Sequence, residues 1–169
     1  KSTQEKQVKR TYSQRSADYL CSLKHHYSLI INILIKLGLR ESELCGLKWD
    51  CVDLINKYVY IENSITAEQG VKYEGKPKTP NSIRRLPIDE DLVDLLEKEP
   101  RNGAYVINKD GRSIKPPQLY ERILVFFKFA NIPDKKRLSP HELRHTCGTL
   151  MYQRTRDVFA VSRFLGHSS

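Results

Sequence analysis

The sequence predicts an α+β domain, mostly α-helical with a small three-stranded antiparallel sheet inserted between helices. Three observations lead there. Helix-capping residues recur before apolar-periodic stretches: Ser13, Asp89 and the pair Ser139-Pro140. β-branched and aromatic residues gather in one short run, Lys57-Tyr58-Val59-Tyr60-Ile61, and a returning run follows at Arg84 to Ile88. Finally, 169 residues with 39% hydrophobic content suffice for one sizeable core.

Lys1 to Tyr12 is polar and aperiodic. It reads as a linker, or as the stub of a further N-terminal domain, and residues 13–169 read as the folded unit. The chain begins on lysine, as a piece of a longer protein would. Ser13 caps a helix towards Leu23. A second helix is expected from about His25 to Leu37. It is apolar on most faces (Leu29, Ile30, Ile31, Ile33, Leu34, Ile35) and so belongs in the core, with Gly38 as its stop. A short helix follows, with Leu44 and Leu47 on one side. After the first strand, Gly70 to Thr79 is polar with turn formers, and Pro80-Asn81-Ser82 is a turn. Asp89 caps a helix to about Lys98. Tyr105-Val106-Ile107 is a short apolar patch. Pro116 or Pro117 opens a helix to about Ala130, Ser139-Pro140 opens another, and a last helix begins near Asp157.

The formal net charge is +9, which favours a polyanionic partner. The charge is uneven. Lys1 to Lys36 nets +5, Leu37 to Asp110 nets −3, and Gly111 to Ser169 nets +7. The four cysteines form no CxxC pair, and nothing resembles a secretory signal, so reduced thiols in a cytoplasmic protein are expected. The longest apolar run, Leu29 to Leu37, is broken by Asn32 and Lys36 and is too short to span a bilayer.

The segment "SPHELRHTCGT", Ser139 to Thr149, poses a choice between metal and phosphate. His141-Glu142-x-x-His145 matches the zinc-peptidase pattern, which needs two histidines one helical turn apart, a glutamate base and a third ligand. The third ligand fails. The longer metzincin pattern would place it at Met151, a poor zinc ligand, and no glutamate follows Glu142. Arg144 would also set a fixed cation beside a dication. Phosphate fits better. His141 and Arg144 stand three apart and share a helix face, and an arginine fork matches phosphate oxygens. A helix-surface Arg/His pair is by itself more often a solvated face. Three further motifs add weight. "GLRESEL" holds Arg40 in a tight turn after the core helix, with Glu43 one turn on. "KPKTPNSIRRLP" carries Lys76 and Lys78, which taken alone are ordinary exposed edge lysines. "LGHSS" places His167 after a glycine.

These motifs, in this order, resemble the catalytic domain of the tyrosine recombinases, the phage-integrase family. The resemblance runs from about Ser13 to Ser169. It implies the DNA breaking-rejoining fold and DNA cleavage without cofactor or metal, through a 3′-phosphotyrosyl intermediate. It also implies roles. Arg40 and Arg144 clamp the scissile phosphate and stabilise its charge in the transition state. Lys78, with Lys76 as the competing assignment, protonates the leaving 5′ oxygen. His141 transfers protons and contacts the phosphate, as His167 also does. Glu43 supports the site, and His145 stands behind it. Double-stranded DNA is the implied partner. A tetramer on DNA is expected of the intact protein, and a monomer of this chain alone.

The pattern breaks at the nucleophile. The family places a tyrosine about two to three helical turns past the LGH motif. None of the nine tyrosines stands there, and neither Tyr152 nor Tyr120 substitutes for it. The expectation is a chain cut before that tyrosine, so the isolated chain should not cleave. Two alternatives share the fold: a DNA-binding regulator without cleavage activity, and a type IB topoisomerase. With the arginine facing the site, replacing Arg144 by lysine is expected nearly to abolish cleavage by the intact protein and to spare the fold.

Overall fold

The computed structural model describes residues 10–62, 64–68, 71–75 and 82–167. The described residues form seven α-helices and three small antiparallel sheets. The first helix, α1 (Gln14–Ser22), is capped by Ser13, whose side chain accepts from the Ser16 N–H. The second, α2 (Ser28–Leu37), is the centre of the core. Its sequence is apolar nearly all round, and it packs against α1, α4 (Glu90–Lys98), α5 (Pro116–Phe129) and α6 (Pro140–Thr155). Asn32, buried within it, donates to the Ser28 and Cys21 carbonyls.

α2 starts three residues later than His25. The Ser28 hydroxyl accepts the His25 N–H, and the His25 ring Nδ1 accepts the Tyr27 N–H. These side-chain bonds hold a turn where hydrophobic pattern alone reads helix. α2 stops where expected. Gly38 adopts the left-handed conformation (φ 63°) and bonds back to Leu34. The short α3 (Glu41–Cys45) begins three residues on, so Arg40 is pinned between two helix ends.

The three-stranded sheet runs in the order β1-β2-β5, from Val52–Asp53, Tyr58–Ile61 and Arg84–Pro87. Val59 faces Leu86 and Ile61 faces Arg84 across the β2–β5 pair. Val59, Ile61 and Leu86 are buried, and Tyr60 points outward, as a half-buried sheet requires. Between β2 and β5 lies a separate hairpin of β3 (Ser64–Glu68) and β4 (Val71–Gly75), paired Thr66 to Tyr73. Reading Gly70 to Thr79 as a polar connection missed that Val71 and Tyr73 alternate with charged residues. A third hairpin, β6 (Asn108–Lys109) with β7 (Arg112–Ser113), turns through Asp110 and Gly111, both at positive φ (52° and 81°). Asp-Gly is a strong signal for this turn, but two-residue strands carry no periodicity to frame it.

The remaining helices match their capping signals. Asp89 caps α4, Ser139 caps α6, and Asp157 caps α7 (Val158–Leu165). α7 packs on α6, and its Gly166 stop (φ 75°) faces the turn at Arg40. The described residues before α1 lie against α6: Arg10 grips Glu142, and the Tyr12 hydroxyl donates to the Lys136 carbonyl. Among the described residues no helix is long and apolar enough to cross a membrane.

Candidate phosphate-binding site

Two helix C-termini and the N-termini of α3, α5 and α6 meet around a cleft of about 390 Å³. Its walls include Arg40, Ser42, Pro140, His141, Arg144 and His167. The fold thus gathers four of the five residues for which a catalytic role was expected, from positions as far apart as 40 and 167. The fifth, Lys78, lies outside the described residues, as does its competitor Lys76.

Arg144 sits on α6 and is only 5% exposed. Its guanidinium bridges two helix ends: Nη1 donates to the Gly38 carbonyl (2.5 Å) and Nη2 to the Leu165 carbonyl (2.6 Å). A cation at two helix C-termini is favourably placed. Burial, and then the charge of Arg40, pull its pKa down to about 10, which leaves it charged at neutral pH. Arg40 is more open, with 39% of its side chain exposed, and its Nη2 reaches the Gly166 carbonyl at 3.4 Å. His141 and His167 are exposed at the rim. His145, next to Arg144 on α6, is half-buried and is not among the residues that line the cleft.

Glu43 is 3% exposed and lies under this group. One carboxylate oxygen accepts the Arg40 backbone N–H (2.8 Å), which also caps α3. Burial works to raise its pKa, but Arg84, with help from Arg40, holds the carboxyl below its usual range. Arg84 was not singled out from the sequence. Its side chain is 7% exposed and grips Glu43 with both Nη atoms, at 2.7 and 3.0 Å. A signal existed: Arg84 lies two residues before the buried Leu86 on a strand, and so on the core-facing side.

Glu142 lies at the start of α6. It closes the α6 capping box on the Ser139 N–H and takes two hydrogen bonds from Arg10. Among the described residues no group of three or more His, Cys, Asp or Glu is placed to share a metal ion. Tyr152 and Tyr120 are both 40% exposed and line no part of the cleft. The cleft offers a tetrahedral anion two arginine forks, two histidines and helix N-termini, with the Glu41 carboxyl, pushed up by burial, beside them.

Known proteins share this fold. A "Tyrosine recombinase XerC-like" protein of Caldanaerobacter subterraneus is 28% identical over 173 residues, covering 86% of this chain and 43% of the relative. "Tyrosine recombinase XerA" of Thermococcus kodakarensis is 28% identical over 145 residues, covering 83% of this chain and 46% of the relative. The chain thus spans about half the length of the curated relatives it matches. Among solved structures, the Tn1549 transposon integrase in complex with transposon right end DNA superposes with a TM-score of 0.84 at 22% identity, over 99% of this chain and 61% of that one. A crystal structure of XerA recombinase gives 0.76 at 22% identity, over 95% of this chain and 57% of that one. At this identity the superpositions speak for the fold. The profile of the phage integrase family matches residues 1–169, and with the whole length accounted for, the chain belongs to that family, among the tyrosine recombinases.

Proposed function

We propose that this chain is the catalytic domain of a site-specific DNA recombinase that cuts and rejoins phosphodiesters without metal, through a 3′-phosphotyrosyl intermediate. The observation that carries this reading is the convergence of Arg40, Arg144, His141 and His167 on one cleft. Two guanidiniums hold a scissile phosphate and stabilise the charge that builds on its oxygens. The histidines donate to the same phosphate or move protons. Lys78, or Lys76 in its place, supplies the proton to the leaving 5′ oxygen. Glu43 supports Arg40, and His145 supports the α6 face. The partner is double-stranded DNA in the cytoplasm, bound by a tetramer of the intact protein and by a monomer of this chain alone.

The test is covalent capture. The natural full-length protein, incubated in EDTA with a nicked duplex carrying its recombination site, should form an adduct that survives denaturing electrophoresis and is released by protease. An adduct that requires added divalent metal, or none at all, overturns the proposal. Absence of an adduct with DNA binding retained would favour a DNA-binding regulator. Relaxation of supercoils without strand exchange between duplexes would favour a type IB topoisomerase.

A further inference from the structure

Three guanidiniums surround one buried carboxylate, and the carboxylate is not shared evenly. Arg84 makes two short bonds to Glu43 (2.7 and 3.0 Å), whereas the Arg40 side chain reaches it once, at 3.5 Å. Arg84 and Glu43 are 7% and 3% exposed, so their pairing is little screened by water. Arg40, at 39% exposed, is held by its backbone N–H and leaves its side chain at the cleft. The rest of Arg84 is clamped as well. Nε donates to the Phe164 carbonyl (2.8 Å) and Nη1 to the Ser82 carbonyl (2.7 Å). A Cβ added at Gly166 would lie 2.8 Å from Nη1, so the backbone just before His167 closes over the guanidinium.

We propose that Arg84 is a positioning residue of the phosphate site: it takes up the charge of Glu43, so that Glu43 anchors Arg40 by its backbone without drawing the Arg40 guanidinium away from the anion. This rests on reading the cleft as a phosphate site. Arg84 touches no substrate and acts through Glu43. The charged groups around Glu43 are Arg40 at the start of α3, Arg84 on β5 and Arg144 on α6. Remove Arg84, and the nearest cation left to the buried carboxylate is Arg40, which closes onto it and leaves the cleft.

The consequence is a pH dependence that a simple packing role would not produce. Without Arg84 the main offset to burial is gone, and the Glu43 carboxyl rises. Above its new pKa the carboxylate captures Arg40, and anion affinity falls. Below it the carboxyl is neutral, Arg40 is released, and affinity recovers. In the unsubstituted chain Glu43 stays ionised and neutralised, so it contributes no such change. Glu41, which lines the cleft and whose carboxyl is pushed up by burial, and His141 and His167 are present in every variant, so differences between variants report Glu43.

The probe is sulfate, which stays a dianion across the working range. It is titrated into the isotopically labelled chain between about pH 5 and pH 8 while the amide shifts of Arg40 and Ser42 are followed. R84Q should lose on the order of tenfold in sulfate affinity at neutral pH and regain it on acidification. The double variant R84Q/E43Q should bind well and without that pH dependence. R84K loses the bidentate fork but keeps a cation beside Glu43, and should stay within about threefold of the unsubstituted chain with no such pH dependence. If R84Q does not fold, R84K decides: near-normal affinity supports the proposal. A tenfold loss in folded R84K, or a pH-flat loss in R84Q that E43Q does not rescue, overturns it. If the unsubstituted chain binds no sulfate at these amides, the phosphate reading itself fails, and the proposal falls with it.

Discussion

Arg144 holds the protein together as well as facing the cleft. Its guanidinium links the Gly38 carbonyl, 106 residues away in sequence, with the Leu165 carbonyl. Each Nη carries a further hydrogen and Nε another, so donors remain in its inventory for a phosphate. The expectation that lysine at 144 would spare the fold took the residue to stand only at the site. The geometry revises it. A lysine cannot span both carbonyls, and one buried acceptor would lose its partner. Arg144→Lys should therefore lower stability by about 1–3 kcal/mol and lower cleavage by the intact protein by at least about 100-fold. Thermal unfolding and single-turnover cleavage read the two effects separately. An unchanged melting temperature would refute the bridging role, and near-normal cleavage would refute the catalytic one. Arg144, Arg40 and Glu43 were legible in the sequence because their motifs are short and local. Arg84 was not, because its meaning depends on Glu43, 41 residues away.

At the scale of elements, the cleft depends on where helices stop. α2 and α7 both end in a left-handed glycine, Gly38 and Gly166, and both ends turn their carbonyls towards the site. Gly38 also has no room for a side chain. A Cβ there would meet Leu165 Cδ2 at 2.6 Å and Cys147 Sγ at 3.0 Å. Gly38→Ala should cost about 1–2 kcal/mol from backbone conformation alone, with contact strain added. A melting temperature equal to that of the unsubstituted chain would show that the turn is not constrained in this way. Stops and caps of this kind are written in single residues, which is why the helices from Ser13, Asp89 and Ser139 were found in the sequence. The start of α2 was not. There a histidine ring and a serine hydroxyl hold a turn inside an apolar pattern. The hairpin of β6 and β7 escaped for the opposite reason, since its strands are too short to show a pattern at all.

Across the molecule, charge and fold point the same way. The segment from Gly111 to Ser169 nets +7 and supplies α6, α7 and half of the cleft, while the more acidic middle of the chain holds the sheet. On the proposed function, a surface of this kind would hold duplex DNA largely through counterion release. The chain alone should bind DNA weakly and with little sequence preference. Its affinity should fall by at least about tenfold between about 50 and 200 mM salt. Filter binding across a salt series would show this, and a flat series would count against an electrostatic DNA surface. The docking of Arg10 and Tyr12 onto α6 also ties the approach to the domain to the helix that carries His141 and Arg144.

Sequence alone settled the class of fold, the order of helices, the basic character of the C-terminal part and the motifs that mark the family. These are local or additive properties: a cap, a stop, a charge count, a spacing along one helix. It took the assembled fold to bury Arg144 between two helix ends and to bring Ser42 to the cleft wall. The assembled fold also pairs the Glu43 carboxylate more closely with Arg84 than with Arg40, and leaves Glu142 to a helix cap and Arg10. The physical reason for this division is distance along the chain. A carboxylate pairs with whichever cation the fold brings nearest, and here the fold brings Arg84 to Glu43 across 41 residues and Arg144 to Gly38 across 106.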